Sequence, residues 1–145
     1  MPYGCPPPPC FNPYMMPCCD PCRQPPMKPP TDVLFSGPVD VATVGTDDTT
    51  TGAIVHTTSH NRLGIVTLTI VKPAVTTAGD FEVGIFKDGS ATPVITYKQT
   101  LPISATAGSD TFTFQGKLTD PGVYTVKVKS AISAVTVKDL RFSVV

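Results

Sequence analysis

The sequence predicts an all-β protein: one antiparallel β-sandwich preceded by a short proline- and cysteine-rich N-terminal arm. Three observations predict it. Residues 1–30 hold 12 of the 17 prolines and all five cysteines, whereas residues 31–145 hold no cysteine. From Thr31 onward, short runs with a period of two alternate with clusters of Gly, Pro, Asp and Thr, the pattern of strands and turns. No segment keeps a period of 3.6 over ten residues or more, so helix content is expected to be very low. At 145 residues the chain has the length of one domain. The expected division is therefore an arm over 1–30 and a sandwich over 31–145.

The arm comes first. Pro6 to Pro9 and the group Pro25, Pro26, Pro29 and Pro30 lack amide donors and fix φ, so they cannot enter a helix interior or a central strand. An extended course is expected, and a rise of about 3.1 Å per residue gives the arm a reach on the order of 90 Å. That reach exceeds the radius of its own domain.

Strands are expected near Val33–Phe35, Val39–Val44, Ala53–Thr58, Leu63–Val71, Phe81–Phe86, Val94–Gln99, Asp110–Phe114, Val123–Val128 and Ala134–Val144, some of them merging or fraying. Val66, Leu68 and Ile70 alternate with Thr67 and Thr69, which puts an apolar row on one face and β-branched hydroxyls on the other. Phe81, Val83 and Ile85 oppose Glu82 and Gly84 in the same way, and Tyr124, Val126 and Val128 oppose Thr125, Lys127 and Lys129. Between such runs, Asp88-Gly89 fits a tight hairpin because glycine accepts positive φ at little steric cost. Asp120-Pro121-Gly122 has the residue order of a type II turn. Regularly spaced short strands of this kind build sandwiches or barrels, and a jelly-roll or immunoglobulin-like topology is expected.

Composition narrows the function. The formal net charge is zero and 15% of residues are charged, so no electrostatic surplus attracts phosphate backbones or anionic lipid, and nucleic acid is not an expected partner. A near-neutral surface also lacks the repulsion that keeps monomers apart. No apolar run reaches the roughly 18 residues of a membrane span. The start MPYGCPPPPC has neither the basic segment nor the apolar stretch of a secretory signal, while five crowded cysteines suit an oxidising setting. Release by cell lysis or deposition around a spore or similar shell reconciles the two.

Catalytic chemistry is not expected. His56 and His60 are the only histidines, and the loop of small polar residues around Ser59-His60-Asn61 gives them no evident acid or nucleophile partner. Asp47-Asp48 before Thr49, Thr50 and Thr51 offers oxygen atoms to calcium but no full ligand loop, and phosphate-binding signatures are absent. No cofactor is expected. Thr67-x-Thr69 and Thr111-x-Thr113 would set hydroxyl rows on a sheet face, suited to sugar, ice or a like subunit, though threonine is also simply a good strand residue.

The arm holds the candidate functional residues. Five cysteines, Cys5, Cys10, Cys18, Cys19 and Cys22, cannot all pair within one chain, so full oxidation leaves at least one for another molecule. Cys18 and Cys19 are adjacent, and a bond between neighbours is strained, which directs each to a different partner. The same thiols could instead form a tetrahedral zinc site or stay reduced in an unstructured tail. Tyr3, Phe11, Tyr14, Met15 and Met16 are foreign to mere spacers, which are poor in such residues. They are read as anchors that bury in a neighbouring sandwich, adding an extended segment to an exposed sheet edge.

Two resemblances follow. Leu118, Asp120, Gly122 and Tyr124 resemble the L-x-D-x-G-x-Y corner of immunoglobulin-like sandwiches, in which the tyrosine hydroxyl bonds back to nearby backbone. Val126 stands where the second cysteine would follow, and the chain has no tryptophan, which excludes an antibody-type core. A cysteine-bearing connector before a single eight-stranded sandwich is similar to the subunits of bacterial endospore appendages, the Ena pili. That family has an apolar residue, a spacer and a Cys-Cys pair near its N-terminus with a further cysteine downstream. Met16-Pro17-Cys18-Cys19 followed by Cys22 is similar. In the family's covalent members, connector cysteines bond to cysteines in another subunit's sandwich. This sandwich has none, so the resemblance implies links from arm to arm or docking without covalent bonds. It also implies a structural subunit whose partners are other copies of itself and spore coat or exosporium proteins, in an extracellular or spore-surface fibre. The rival expectation is a tethered binding module that recognises carbohydrate or another coat protein.

Overall fold

The structure, a computed structural model, describes residues 32–145. Eight strands follow in order: β1 (Phe35–Val41), β2 (Thr49–Thr57), β3 (Arg62–Lys72), β4 (Gly79–Lys87), β5 (Pro93–Leu101), β6 (Gly108–Leu118), β7 (Gly122–Ser130) and β8 (Thr136–Val144). They form two four-stranded antiparallel sheets, β1-β8-β3-β6 and β2-β7-β4-β5. The sequence-based fold class, an all-β antiparallel sandwich, is what the described residues form. Only β4 and β5 are consecutive neighbours within a sheet; the chain otherwise crosses between layers or skips strands, as in an eight-stranded jelly roll.

Alternation decides which side chains enter the core. Val66, Leu68 and Ile70 of β3, Phe81, Val83 and Ile85 of β4, and Val126 and Val128 of β7 are fully buried between the layers. Tyr124 joins them, and its hydroxyl donates to the Asp120 carbonyl, the bond the tyrosine-corner resemblance implies. Burial raises the Tyr124 pKa above its ordinary value, because the ionised form would lose its hydration. Lys72 also faces inward at the end of β3, and its ammonium pairs with Asp110 at 3.6 Å.

Two sequence expectations need correction. Phe35 and Val39–Val41 belong to a single strand, since β8 pairs with β1 on both sides of Gly37-Pro38 through two register shifts, whereas Val33 bridges to His56 of β2 and 42–44 lie beyond β1. A bulge in β8 matches the second shift, with Asp139 at φ 52°. Asp40 holds it, accepting from the Asp139 amide at 2.9 Å and pairing with Lys138 at 3.3 Å. Gly122 does not take the positive φ that a type II turn would require; it already belongs to β7. The corner is closed by side chains instead, through Tyr124 and through Asp88, whose Oδ1 accepts from the Val123 amide at 2.9 Å. The Asp88-Gly89 hairpin forms as expected: both residues have positive φ, and the Ser90 amide donates to the Lys87 carbonyl at 3.0 Å.

Candidate assembly surface

The site begins where the arm meets the sandwich. Asp32 Oδ1 accepts from both the amide and the hydroxyl of Thr58, each at 2.8 Å, and Oδ2 lies 3.5 Å from the Arg62 guanidinium. One residue later, Val33 exchanges two backbone hydrogen bonds with His56, at 2.8 and 2.9 Å. The junction is thereby tied to β2 and the β2–β3 turn. The Thr58 hydroxyl and amide, with a smaller contribution from Arg62, hold the Asp32 carboxyl below its ordinary value of 3.8. A carboxyl depressed in the folded state stabilises the junction fully above that ordinary value and loses the contribution as pH falls below it. The Thr58 amide resonance should therefore shift in acid with an apparent pKa under 3.8, and the shift should vanish in Asp32→Asn; an amide that ignores pH in the parent chain would contradict the clamp.

The two sides of the sandwich treat their edges differently. On one side β1 and β2 are edge strands, and both are irregular: β1 is bulged at Gly37-Pro38, and β2 shifts register between Thr50 and Ile54 around Gly52. They also close on each other, since the Ile54 amide donates to Ser36 Oγ at 3.1 Å. Bulges, proline and cover are the devices by which proteins protect an edge from pairing with another chain.

The opposite side lacks them. β6 runs eleven residues beside β3 without a register shift, and among the described residues no strand lies on its other flank, so a straight row of backbone donors and acceptors faces outward there. β5, the facing edge, carries alternating half-buried and exposed residues along its length. Between the two edges lies an aromatic slit. Tyr97 of β5 stacks on Phe114 of β6 with ring centroids 5.1 Å apart, and Phe112 follows at 6.3 Å from Phe114. Gly116 lets β5 side chains approach β6 closely, for a Cβ there would stand 2.5 Å from Ile95 Cδ1 and from the Tyr97 hydroxyl. Desolvation in the slit raises the Tyr97 pKa.

The other sequence candidates are placed as follows. All ten arm candidates, the five cysteines and the anchors Tyr3, Phe11, Tyr14, Met15 and Met16, lie outside the described residues. His56 and His60 are exposed. Among the described residues, no group of three or more His, Cys, Asp or Glu is placed to hold a metal ion. Asp47 accepts from the Thr49 hydroxyl through its backbone carbonyl at 3.3 Å, and the same hydroxyl receives the Gly45 amide at 3.2 Å, so that segment is a closed polar turn. The threonine rows face each other across β3 and β6, hydroxyl to hydroxyl, at 3.3 Å for Thr67 with Thr113 and 2.9 Å for Thr69 with Thr111. The unpaired edge was the feature sequence reasoning left unassigned: alternation marks the buried face of a strand but not its neighbours.

No protein-family model matches the chain, and no curated protein matches it. Among solved structures, the chain is similar to a carbohydrate-binding module, CBM6cm-2 from Cellvibrio mixtus lichenase 5A, in complex with cellotriose. The identity is 14% and the TM-score 0.43, over 78% of this chain and 98% of that one. A likeness of that degree assigns no ligand to this chain.

Proposed function

We propose that the protein is a structural subunit that polymerises through its N-terminal arm into an extracellular or spore-surface fibre, reinforced by disulfides among the arm cysteines. The observation that carries this reading is the unequal protection of the edges. One side of the sandwich is bulged and closed, while the other offers a long straight strand beside an aromatic slit. An exposed edge of that kind is a template for an added strand. A chain with zero net charge adds no long-range repulsion against a second copy.

Arm and acceptor are different surfaces of one molecule, so the contact is heterologous, and unless the rotation closes a ring it propagates as an open helical fibre. The similarity of Met16-Pro17-Cys18-Cys19 and Cys22 to the endospore appendage connector supports the same reading. Disulfides between arms would make dissociation depend on reduction. Negative-stain microscopy of the purified full chain, with and without reductant after hot detergent, tests it. Ordered filaments that survive detergent until reductant is added are expected. Lone sandwich-sized particles under both conditions would instead favour the tethered binding module.

A further inference from the structure

The fold conceals a hazard in β3. Leu63 to Val71 reads LGIVTLTIV, nine residues with no charge and no proline, and every one except Gly64 is apolar or β-branched. Such a run has the composition of segments that stack, copy upon copy, into cross-β spines. Among the strands it stands apart. β4, β5, β6, β7 and β8 each carry a charged residue between their end residues, and β1 carries Pro38 and Asp40. β2 has neither charge nor proline, but only Ala53, Ile54 and Val55 are apolar there, and its ladder shifts around Gly52 at φ 85°.

The sandwich keeps the β3 run out of reach. β3 is central in its sheet, with β6 on one side and β8 on the other, so its backbone donors and acceptors are taken up by those neighbours. Val66, Leu68 and Ile70 are fully buried, and Ile65, Thr67, Thr69 and Val71 are half-buried. Only an opened chain, not yet folded or transiently unfolded, presents the run.

Cations bound it at both ends. Arg62 begins β3 beside Asp32, and Lys72 ends it. Lys72 is the unusual one, because it continues the inward row of Ile70 and is only 8% exposed. Its ammonium pairs with Asp110 at 3.6 Å, and the Asp110 side chain is itself 55% exposed. Burying one member of an ion pair gives up hydration that the attraction recovers only with excellent geometry, and an apolar residue of similar volume in such a place is often neutral or stabilising. Stability of the sandwich therefore does not account for a lysine here. In a cross-β stack the lysine does have an effect. Identical residues lie about 4.8 Å apart along such a spine, so each Lys72 would face the Lys72 of the next copy. Asp110 belongs to β6 and would not come with it.

We infer that Lys72 is a gatekeeper, a charge kept at the end of β3 to hinder the run 63–71 of an opened chain from stacking on the same run of other copies. Arg62 guards the opposite end. The inference does not depend on fibre assembly: it concerns the opened chain, whereas the proposed fibre is built from folded sandwiches.

Lys72→Met removes the charge at nearly constant length, and Lys72→Arg keeps it. The full chains are compared under reductant, each at its own urea midpoint, so that equal fractions are open. Aggregation is followed by thioflavin T fluorescence, and the protease-resistant core of the product is mapped by mass spectrometry. Lys72→Met is expected to unfold at a urea midpoint equal to or above that of the parent chain. It should also shorten the lag roughly fourfold or more, the factor that one like-charge contact at about 4.8 Å in water sets. Lys72→Arg should keep the parent's lag, and salt at about 1 M should remove the difference between Lys72→Met and the parent by screening. The resistant core should contain residues 63–71. An unchanged lag in Lys72→Met, an equally short lag in Lys72→Arg, a difference that persists in high salt, a core without 63–71, or a midpoint well below the parent's would each overturn the assignment.

Discussion

A chain beginning at Thr31 is expected to fold to the same sandwich and to form no filaments. Among the described residues the buried apolar side chains run from Val41 to Val144, and a domain of about 115 residues buries roughly two thirds of the surface that its unfolded chain exposes. Keeping Asp32 and Val33 retains the bonds to Thr58 and His56, so the β2–β3 turn loses nothing. Unfolding monitored by circular dichroism should match that of the full chain under reducing conditions, while pelletable material should fall to background. Filaments persisting in the truncated chain would mean that sheet edges alone drive assembly, and the arm's role would have to be abandoned.

Phe142→Ala is expected to destabilise the sandwich by roughly 3–5 kcal/mol, the usual cost of emptying a buried phenylalanine site. Phe142 is fully buried on β8, paired with Ser36 of β1 on one side and Val66 of β3 on the other, so the cavity opens at the centre of its sheet. Its ring lies against the backbone at Gly64, and neighbours in register strands cannot collapse into the gap without breaking the ladder. Against a total stability of about 5–15 kcal/mol, that loss is a large share. Urea unfolding should show a lower midpoint with an unchanged slope, since the surface exposed on unfolding is nearly the same. A change below about 1.5 kcal/mol, the size of a tolerated volume-conserving swap, would mean that this part of the core is loosely packed.

Much of the fold was legible because a period of two states which side chains are buried. The rows Val66-Leu68-Ile70, Phe81-Val83-Ile85 and Tyr124-Val126-Val128 face the core as read. Reading failed where a breaker residue sits inside a strand. Gly37-Pro38 looks like the end of one segment and the start of another, but β8 resumes pairing beyond it. Gly116 made β6 look finished at Phe114, yet β3 carries the ladder on to Leu118, and the missing side chain serves Ile95 and Tyr97 across the slit. The straight edge of β6 has no local signature. It arises from strand order, which a single sequence does not spell out. The arm was read on composition alone, and its thiols and aromatics lie outside the described residues.

The attachment of the arm beside β1 has a mechanical corollary. β1 starts next to the Asp32 junction and runs the length of the sandwich antiparallel to β8, so tension drawn through the arm along the strand axes loads that ladder in shear. Its hydrogen bonds then resist together, where a sideways pull would peel them one after another. A thread built from such units would pass a tug lengthwise through each bead and yield first at the joints.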